Sequence, residues 1–352
     1  MKMEYLAWDL NFSNVIRSER LSYMRNNTTQ DKKRTSYEFI PSFNFKILPT
    51  KKPGEQLNFN LMYQQGIASM FDLLDYVDDA MPQVVKLGNP RLKGTASTTL
   101  SIQFTDWESK HKGQSYHLQG NFNYYHRQVA QSVVFNPDNS QYTYQPKNVS
   151  GAYHASAQFD FTRFLDKRQR WSWQTTLNAN YNHSVDHVLQ VGMTESSPNA
   201  VNTLTLHDGL WFQYQHQDLS LRATGDIRWR HSEGKMRDFT TLNAYDYQYG
   251  LAARYTLPVL KTTLSVDGNM YSRRGYGSKT LNTDDFVLNA SISQPFLKGK
   301  LIASIEAFDL LHQLSSTQYA INAQGRTETW NRSLPNYIMF HVVYHFSRNP
   351  QK

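Results

Sequence analysis

Apolar and aromatic residues occupy every second position over most of this sequence, and this period of two constrains the fold more than any other feature. Between Tyr37 and Ile47 the odd positions hold Tyr, Phe, Pro, Phe, Phe and Ile, and the even positions are mostly polar. A period of two is that of a β-strand whose two faces meet different environments. A second stripe, Leu57 to Tyr63, follows a turn through Pro53 and Gly54, which predicts a hairpin.

The same alternation recurs in roughly fourteen segments, each near the ten residues that a tilted membrane strand requires. Later stripes begin at Tyr116, Tyr153, Trp171, Leu219, Tyr245, Leu264, Phe286 and Leu301. No segment shows a competing apolar period of about 3.6 residues, which would indicate an amphipathic helix. The sequence therefore predicts an all-β chain of antiparallel strands.

Composition extends this prediction to a membrane. The chain of 352 residues is 14% aromatic, has a mean hydropathy of −0.64 and contains no long apolar run, which excludes helical membrane spans. A barrel can be polar on average, because alternate residues face a wet lumen. We predict an antiparallel transmembrane β-barrel, with Trp8, Trp107 and Trp171 in its interfacial girdle. The alternative, a β-sandwich, is disfavoured because sandwich strands are shorter and their outer faces less uniformly aromatic.

Connections between the stripes alternate in length. Short ones are predicted around Pro53, Lys110, Lys167, Gln217, Pro258 and Lys298. Longer ones are predicted around Asn26, Asp78, Asn139, Pro198, Gly234, Gly277 and Asn322. Outer-membrane barrels have short periplasmic turns and longer outer loops, so the C-terminus is expected at the periplasmic side.

Several function classes find no support in the residues. The net charge is +8, but the basic residues are scattered, so we expect no nucleic-acid partner. Cysteine is absent, which excludes thiolate chemistry and disulfides. Neither a Gly-x-Ser-x-Gly elbow nor an assignable pair of catalytic carboxylates is present, so we expect no enzyme.

Metal sites and cofactors are not expected either. His183 and His187 have a spacing that suits zinc on a helix, but in a strand it separates them by about 13 Å. His341 and His345 fail for the same reason. The acidic segment 72–79 does not match the spacing of a calcium loop and is interpreted as an outer loop with an apolar patch.

Charged residues on the polar side of the strands are the ligand-binding candidates, because groups lining a lumen set selectivity or hold a plug. These lumen candidates are Arg222, Asp226, Arg228, Arg230, Arg254, Arg273 and Glu306. The alternative is that they pair with one another and only fill the wall.

The last stripe resembles the C-terminal insertion signal of outer-membrane proteins, which ends in an aromatic residue preceded by apolar residues at alternate positions. Phe340, Val342, Tyr344 and Phe346 are the residues predicted to form this membrane-insertion signal for the barrel assembly machinery. Six residues follow Phe346, whereas Phe is the final residue in the usual form.

Four segments carry a wider resemblance: Gly88 to Lys93, Glu306 to Leu311, Asn322 to Arg326, and the closing strand. Together they resemble TonB-dependent receptor-like outer-membrane β-barrel proteins of the Bacteroidetes type. That family implies a signal peptide, often a regulatory-like β domain, a plug domain and a barrel of about twenty-two strands.

Only the later part of such a barrel is matched, and no signal peptide, regulatory-like domain or plug can be placed before Tyr5. We therefore expect residues 1–352 to form one outer-membrane β-barrel domain, the C-terminal portion of a larger barrel. The alternative is that the chain closes on itself as a smaller barrel.

The resemblance implies a receptor or transporter in the outer membrane of the cell envelope, which binds its ligand at outer loops and passes it through the lumen. Its partners would be outer-membrane lipid, the assembly machinery and TonB, the last through an N-terminal region outside this sequence. Two alternatives stay open: a structural or adhesive barrel without active transport, and a soluble all-β binding module.

Overall fold

The computed structural model describes residues 5–25, 28–48, 54–107, 113–190, 192–236, 239–277, 281–313, 317–322, 325–330 and 336–346. The strands in these ranges are β1 (Tyr5–Arg25), β2 (Thr28–Leu48), β3 (Glu55–Gln65), β4 (Val77–Met81), β5 (Val84–Leu87), β6 (Ala96–Trp107), β7 (Gln114–Asn136), β8 (Gln141–Val149), β9 (Tyr153–Phe164), β10 (Trp171–Val188), β11 (Ser197–His216), β12 (Leu219–Gly234), β13 (Leu242–Thr256), β14 (Thr263–Arg274), β15 (Asp284–Phe296), β16 (Leu301–Phe308), β17 (Thr317–Asn322), β18 (Gly325–Trp330) and β19 (Tyr337–Tyr344). In this described part of the chain, no helix is long and apolar enough to cross a membrane.

Fourteen strands form one antiparallel sheet in which each strand pairs with the next along the chain. Their order is β1, β2, β3, β6, β7, β9 to β16 and β19. The predicted all-β antiparallel architecture and its strand number are confirmed. Within the described residues, β1 pairs only with β2, and β19 pairs only with β16. Because β1 and β19 share no strand pairing there, the sheet is not closed into a ring by hydrogen bonds.

The two faces of this sheet differ in chemistry, as the period of two predicts. In the register between β1 and β2, Trp8 lies opposite Phe45 and Leu10 opposite Phe43, while Asp9 lies opposite Asn44. The same separation continues across the sheet, and we call its sides the apolar face and the polar face. Apolar-face side chains stay open to the surroundings: Trp8 is 66% exposed, Leu251 72% and Phe340 66%.

One end of the sheet has short turns. They lie between β9 and β10, β11 and β12, β13 and β14, and β15 and β16, as predicted at Lys167, Gln217, Pro258 and Lys298. The turns predicted at Pro53 and Lys110 lie outside the described residues. We call this side the short-turn end and the opposite side the long-connection end.

The long connection predicted around Asn26 is wrong. Asn26 itself is outside the described residues, but Arg25 pairs directly with Thr28, so only two residues join β1 to β2. Cross-strand charge pairs explain why these 21-residue strands continue so far. Arg34 forms an ion pair with Glu19, and Arg20 lies 3.8 Å from Asp31. Opposite charges on facing strands favour continued pairing over a loop.

A second group of strands lies at the long-connection end. The antiparallel pair β4–β5 falls in the connection between β3 and β6, and β5 pairs in parallel with β8. The upper half of β7, from Gln128 to Asn136, pairs with β8, whereas its lower half pairs with β6 and β9. These three strands bring the sheet to seventeen. The hairpin β17–β18 forms a separate two-stranded sheet.

Candidate functional site

The strand register places all seven predicted lumen candidates on the polar face. Four follow one another along β12: Arg222, Asp226, Arg228 and Arg230. The other three are Arg254 on β13, Arg273 on β14 and Glu306 on β16. Over β12 to β14 this face carries five arginines against three aspartates, Asp226, Asp246 and Asp267. Their role in binding a ligand stays a prediction.

The two acidic candidates contact histidines on neighbouring strands. Asp226 forms a hydrogen bond with His207 of β11, and the other ring nitrogen of His207 lies 3.1 Å from the side-chain amide of Asn178. Glu306 lies 3.4 Å from His341 of β19. These contacts join each acid to a histidine, while Asp246 of β13 lies directly opposite Arg228 and Arg273 in the strand register.

Two cavities flank the arginines nearest the short-turn end. One, of about 290 Å³, lies between Arg222, Arg254 and Asp267. The other, of about 490 Å³, also borders Arg254 and lies against the glutamines Gln213, Gln215 and Gln217. Guanidinium groups beside amide side chains suit a ligand rich in hydrogen-bond acceptors.

At the long-connection end, the β14–β15 connection folds back onto the polar face. Tyr276 and Leu281 pack with Leu242 and Ala244 of β13 in a buried cluster. The Tyr276 hydroxyl donates to the Asp246 carboxylate, whose oxygens lie 2.8 and 3.0 Å away. Burial and this hydrogen bond raise the pKa of the Tyr276 hydroxyl far above its usual range. The connection is therefore anchored to the wall.

The β3–β6 connection, residues 66–95, is held to the same face by basic side chains. Lys32 donates to the carbonyl of Leu73, and Arg34 donates through Nη1 to the carbonyl of Ala68 at 2.8 Å. Arg127 of β7 donates to the carbonyl of Gly94. Three cations thus fix one connection through its backbone.

A cavity of about 550 Å³, which we call the mouth cavity, lies between this connection and β2. It is lined by the cations Lys32, Lys33, Arg34 and Arg127, by Ser36, Tyr37, Glu38, Gln65, Gly66 and Thr95, and by the apolar or small residues Ile67, Ala68, Leu73, Pro90, Leu92 and Gly94. Its size is that of an ordinary small-molecule site.

Two polar atoms in the mouth cavity have no hydrogen-bond partner in the described part of the chain. Glu38 is only 8% exposed, and its Oε1 accepts no hydrogen bond. The Nε of Arg34 donates none. Sequence reasoning assigned Glu38 only to a polar strand face and did not single out Arg34. The available signal was the pair of cations at even positions, Lys32 and Arg34, which continue the polar face of β2 with charge.

A groove of about 370 Å³ crosses the opposite, apolar face of β7 and β9 to β12. Small side chains at Ala157 and Ala179 form its floor, between larger ones such as Phe159 and Trp229. A carboxylate, Asp208, lies in this apolar lining and accepts a hydrogen bond of 3.2 Å from Thr175. The alternation predicted neither the groove nor the charge inside it.

The residues of the predicted insertion signal lie on or just beyond β19. Phe340, Val342 and Tyr344 occupy the apolar face, opposite Ile305, Ala303 and Leu301 of β16. Phe346 follows the end of the strand and is 90% exposed. Their role in assembly stays a prediction.

The described residues contain no group of three or more histidine, aspartate or glutamate side chains that could hold a metal ion. In the acidic segment 72–79, Asp78 lies in β4 and Asp72 accepts, through its carbonyl, a hydrogen bond from the Asn89 amide. That segment therefore belongs to the connection that covers the mouth cavity.

Fourteen antiparallel strands with one open apolar face and one polar face define the wall of a membrane β-barrel. The model of the outer membrane protein beta-barrel family matches residues 16–217, more than half of the chain. The chain belongs to this family and is located in the outer membrane, which excludes the soluble binding module. The short-turn end is accordingly periplasmic, and the long-connection end faces the exterior.

Other comparisons add little detail. OmpT, an outer-membrane protein of Vibrio cholerae folded in vitro and in its trimer form, is 11% identical; the alignment covers 97% of this chain and 100% of that one, with a TM-score of 0.31. A TM-score this low supports no inference about the structure of the wall. No curated protein matches the chain.

Proposed function

We propose that this barrel is an outer-membrane receptor of the TonB-dependent type, which binds its ligand at the outer connections and passes it through the lumen. The mouth cavity carries this proposal, because it lies at the exterior end, is lined by the polar-face residues Lys32, Arg34 and Glu38, and contains a buried carboxyl oxygen of Glu38 that has no hydrogen-bond partner among the described residues. A wall that served only as a scaffold would gain nothing from a buried carboxyl oxygen that lacks a hydrogen bond.

Charged side chains along the polar face support passage as well as binding. Arg222 and Arg254 border cavities at the periplasmic end, so charged side chains are found near both ends of the lumen. Rings and rows of charged side chains are the usual means of selectivity in barrels.

The proposed partners follow from the membrane setting. The open apolar face meets outer-membrane lipid, and the β19 stripe is the proposed recognition element for the barrel assembly machinery. TonB would act through a region N-terminal to the barrel, as in the receptors that this sequence resembles. We expect no catalysis and no cofactor.

Accumulation of solutes in living cells tests the proposal. Cells with the gene deleted or restored, each with and without functional TonB, are fed a complex nutrient digest, and periplasmic solutes are quantified by mass spectrometry. We expect at least one polar solute to accumulate only when both the gene and TonB are present.

Other outcomes contradict this proposal in different ways. Accumulation that needs the gene but not TonB would make the protein a passive channel. Changed surface adhesion without any change in accumulation would support the structural or adhesive barrel. Exposed apolar residues on the outer pair β4–β5, Val77 at 55% and Met81 at 59%, are the observation that favours this second candidate.

A further inference from the structure

The mouth cavity separates opposite charges along one strand. Arg34 and Glu38 both lie on the polar face of β2, four residues apart, which places their Cα atoms about 13 Å from each other. Lys32 and Arg127 lie with Arg34 among the cavity's lining residues. Glu38 is the one carboxylate among the residues described as lining it. The cavity therefore has a basic part and a single acidic group.

Glu38 requires a donor that the described residues do not supply. A carboxyl oxygen that is removed from water without a hydrogen bond in exchange costs free energy, and Glu38, at 8% exposure, has such an oxygen in Oε1. A hydroxyl or an ammonium from a bound molecule would remove that cost, and the ammonium would also neutralise the charge.

The basic part requires the complementary group. Arg34 already donates through its two terminal nitrogens to Ala68 and Glu19, and its Nε–H is buried without a hydrogen-bond partner among the described residues. Lys32 uses its ammonium on one carbonyl, that of Leu73, and has two further N–H donors. An anionic oxygen is the acceptor that suits these donors.

A molecule with an ammonium at one end and a carboxylate at the other satisfies both requirements. Three residues of extended peptide span about 10 Å, which is comparable with the distance of about 13 Å between the two Cα atoms. Leu73, Leu92 and Pro90 offer apolar walls for the peptide's own side chains. The cavity volume, about 550 Å³, accommodates a ligand of this size.

We infer that the mouth cavity binds short zwitterionic peptides, with the N-terminal ammonium at Glu38 and the C-terminal carboxylate at Arg34 and Lys32. This inference rests on the proposed receptor function and names the ligand class of the same site. It predicts that both charged ends of the peptide are recognised and that the affinity depends little on the peptide's side chains.

Calorimetric titration of trialanine into the full-length protein, extracted from outer membranes in detergent, tests the inference. N-acetyl-trialanine and trialanine amide are the matched probes, because each removes the charge of one end. We expect trialanine to bind and each blocked peptide to bind roughly 10- to 100-fold more weakly, the effect of losing a charged hydrogen bond.

Variants then assign the two ends. In E38Q, trialanine and N-acetyl-trialanine should bind with similar affinity, whereas trialanine amide should still be penalised. E233Q, at the exterior end of β12 and outside the cavity, is the matched control and should keep the preferences of the natural protein. The probe comparison in the natural protein stands even if E38Q fails to fold.

Three outcomes would overturn the inference: no binding of trialanine, equal binding of all three peptides, or an unchanged preference in E38Q. Binding of a neutral trisaccharide in place of trialanine would overturn it in favour of a hydroxyl donor at Glu38. If the cell assay shows TonB-dependent accumulation while trialanine does not bind, the peptide class fails and the receptor function stands.

Discussion

Asp166 shows how single residues stabilise the periplasmic turns. Its carboxylate accepts backbone hydrogen bonds from Arg170 at 2.6 Å and Trp171 at 3.0 Å, and one from the Arg170 side chain at 3.0 Å. The hydrogen bond from the Trp171 backbone, with the contribution of Arg170, lowers the pKa of the Asp166 carboxyl below its ordinary value of 3.8. The charged form therefore belongs to the folded turn.

This shift predicts a pH-dependent effect of D166N. A carboxyl whose pKa is lowered by folding contributes stability above its unfolded pKa, and that contribution is lost as the pH falls through the folded pKa. We expect D166N to lower the urea midpoint of unfolding from vesicles at pH 7, and the difference from the natural protein to shrink as the pH falls below about 4, the ordinary aspartate pKa, and on through the lowered folded pKa. A difference that stays constant between pH 7 and pH 3 would contradict the assignment.

Unlike Asp166, which stabilises the fold, Asp208 is expected to destabilise it, because its carboxylate lies on the lipid-facing side. Replacing it in D208L removes a charge from the apolar groove and adds apolar volume, at the loss of the hydrogen bond from Thr175. We expect the free energy of unfolding from lipid vesicles to rise by about 1 kcal/mol.

The matched control for D208L is D160L on the polar face. Asp160 accepts hydrogen bonds from Thr176 at 2.7 Å and Gln158 at 2.8 Å, so its loss should destabilise the wall. Changes of the same sign in both variants would show that the groove is not in contact with lipid.

At the scale of the elements, the close approach of two backbones shapes the mouth cavity. A Cβ atom on Gly94 would lie 1.9 Å from the carbonyl oxygen of Gly66, far inside van der Waals contact. Glycine at this position is what lets the two ends of the 66–95 connection approach each other, and Gly66 donates in turn to the carbonyl of Thr95 at 3.0 Å.

We expect G94A to displace this connection without unfolding the wall. Limited proteolysis of the protein in vesicles should then cleave within residues 66–95 faster, while migration in unheated gels stays that of the folded barrel. G225A, at a position where a Cβ meets nothing within 4 Å, is the control and should leave cleavage unchanged. Equal protection in G94A and the natural protein would refute the role of the close approach.

The sequence predicts the wall strands well because each has a period that its surroundings impose. Lipid on one side and water on the other fix which residues alternate, and that pattern is visible in a single chain. β4, β5 and β8 have no such surroundings, so their pairing depends on contacts between distant segments. Glu38 was not recognisable as a site for a related reason: the cavity that it lines is formed only when the 66–95 connection folds against β2.

At the scale of the whole molecule, the two faces of the wall meet different media, so neighbouring residues of β19 tolerate different substitutions. Val342 lies on the apolar face and is 57% exposed; Val343 lies on the polar face and is 46% exposed. They differ in little except the medium that they meet, so they form a matched pair for testing the orientation of the wall and the proposed insertion signal.

We expect V342D to reduce assembly strongly and V343D to be tolerated. A carboxylate on the lipid side costs free energy in every folded molecule, and it also interrupts the apolar stripe of β19. The folded fraction in outer membranes, measured as the species whose gel migration changes on heating, reports the outcome. Equal loss in both variants would indicate that β19 does not face lipid at Val342.

The first hairpin, β1–β2, is long enough to determine which part of this protein is exposed furthest from the cell surface. The apolar stripe of β1 ends near Ile16, about as many residues as a bilayer requires, yet the strand continues to Arg25. Nine further residues carry the paired strands about 30 Å along their axis beyond the lipid. A phage or an antibody approaching the bacterium would therefore meet this charged ribbon before it met the barrel.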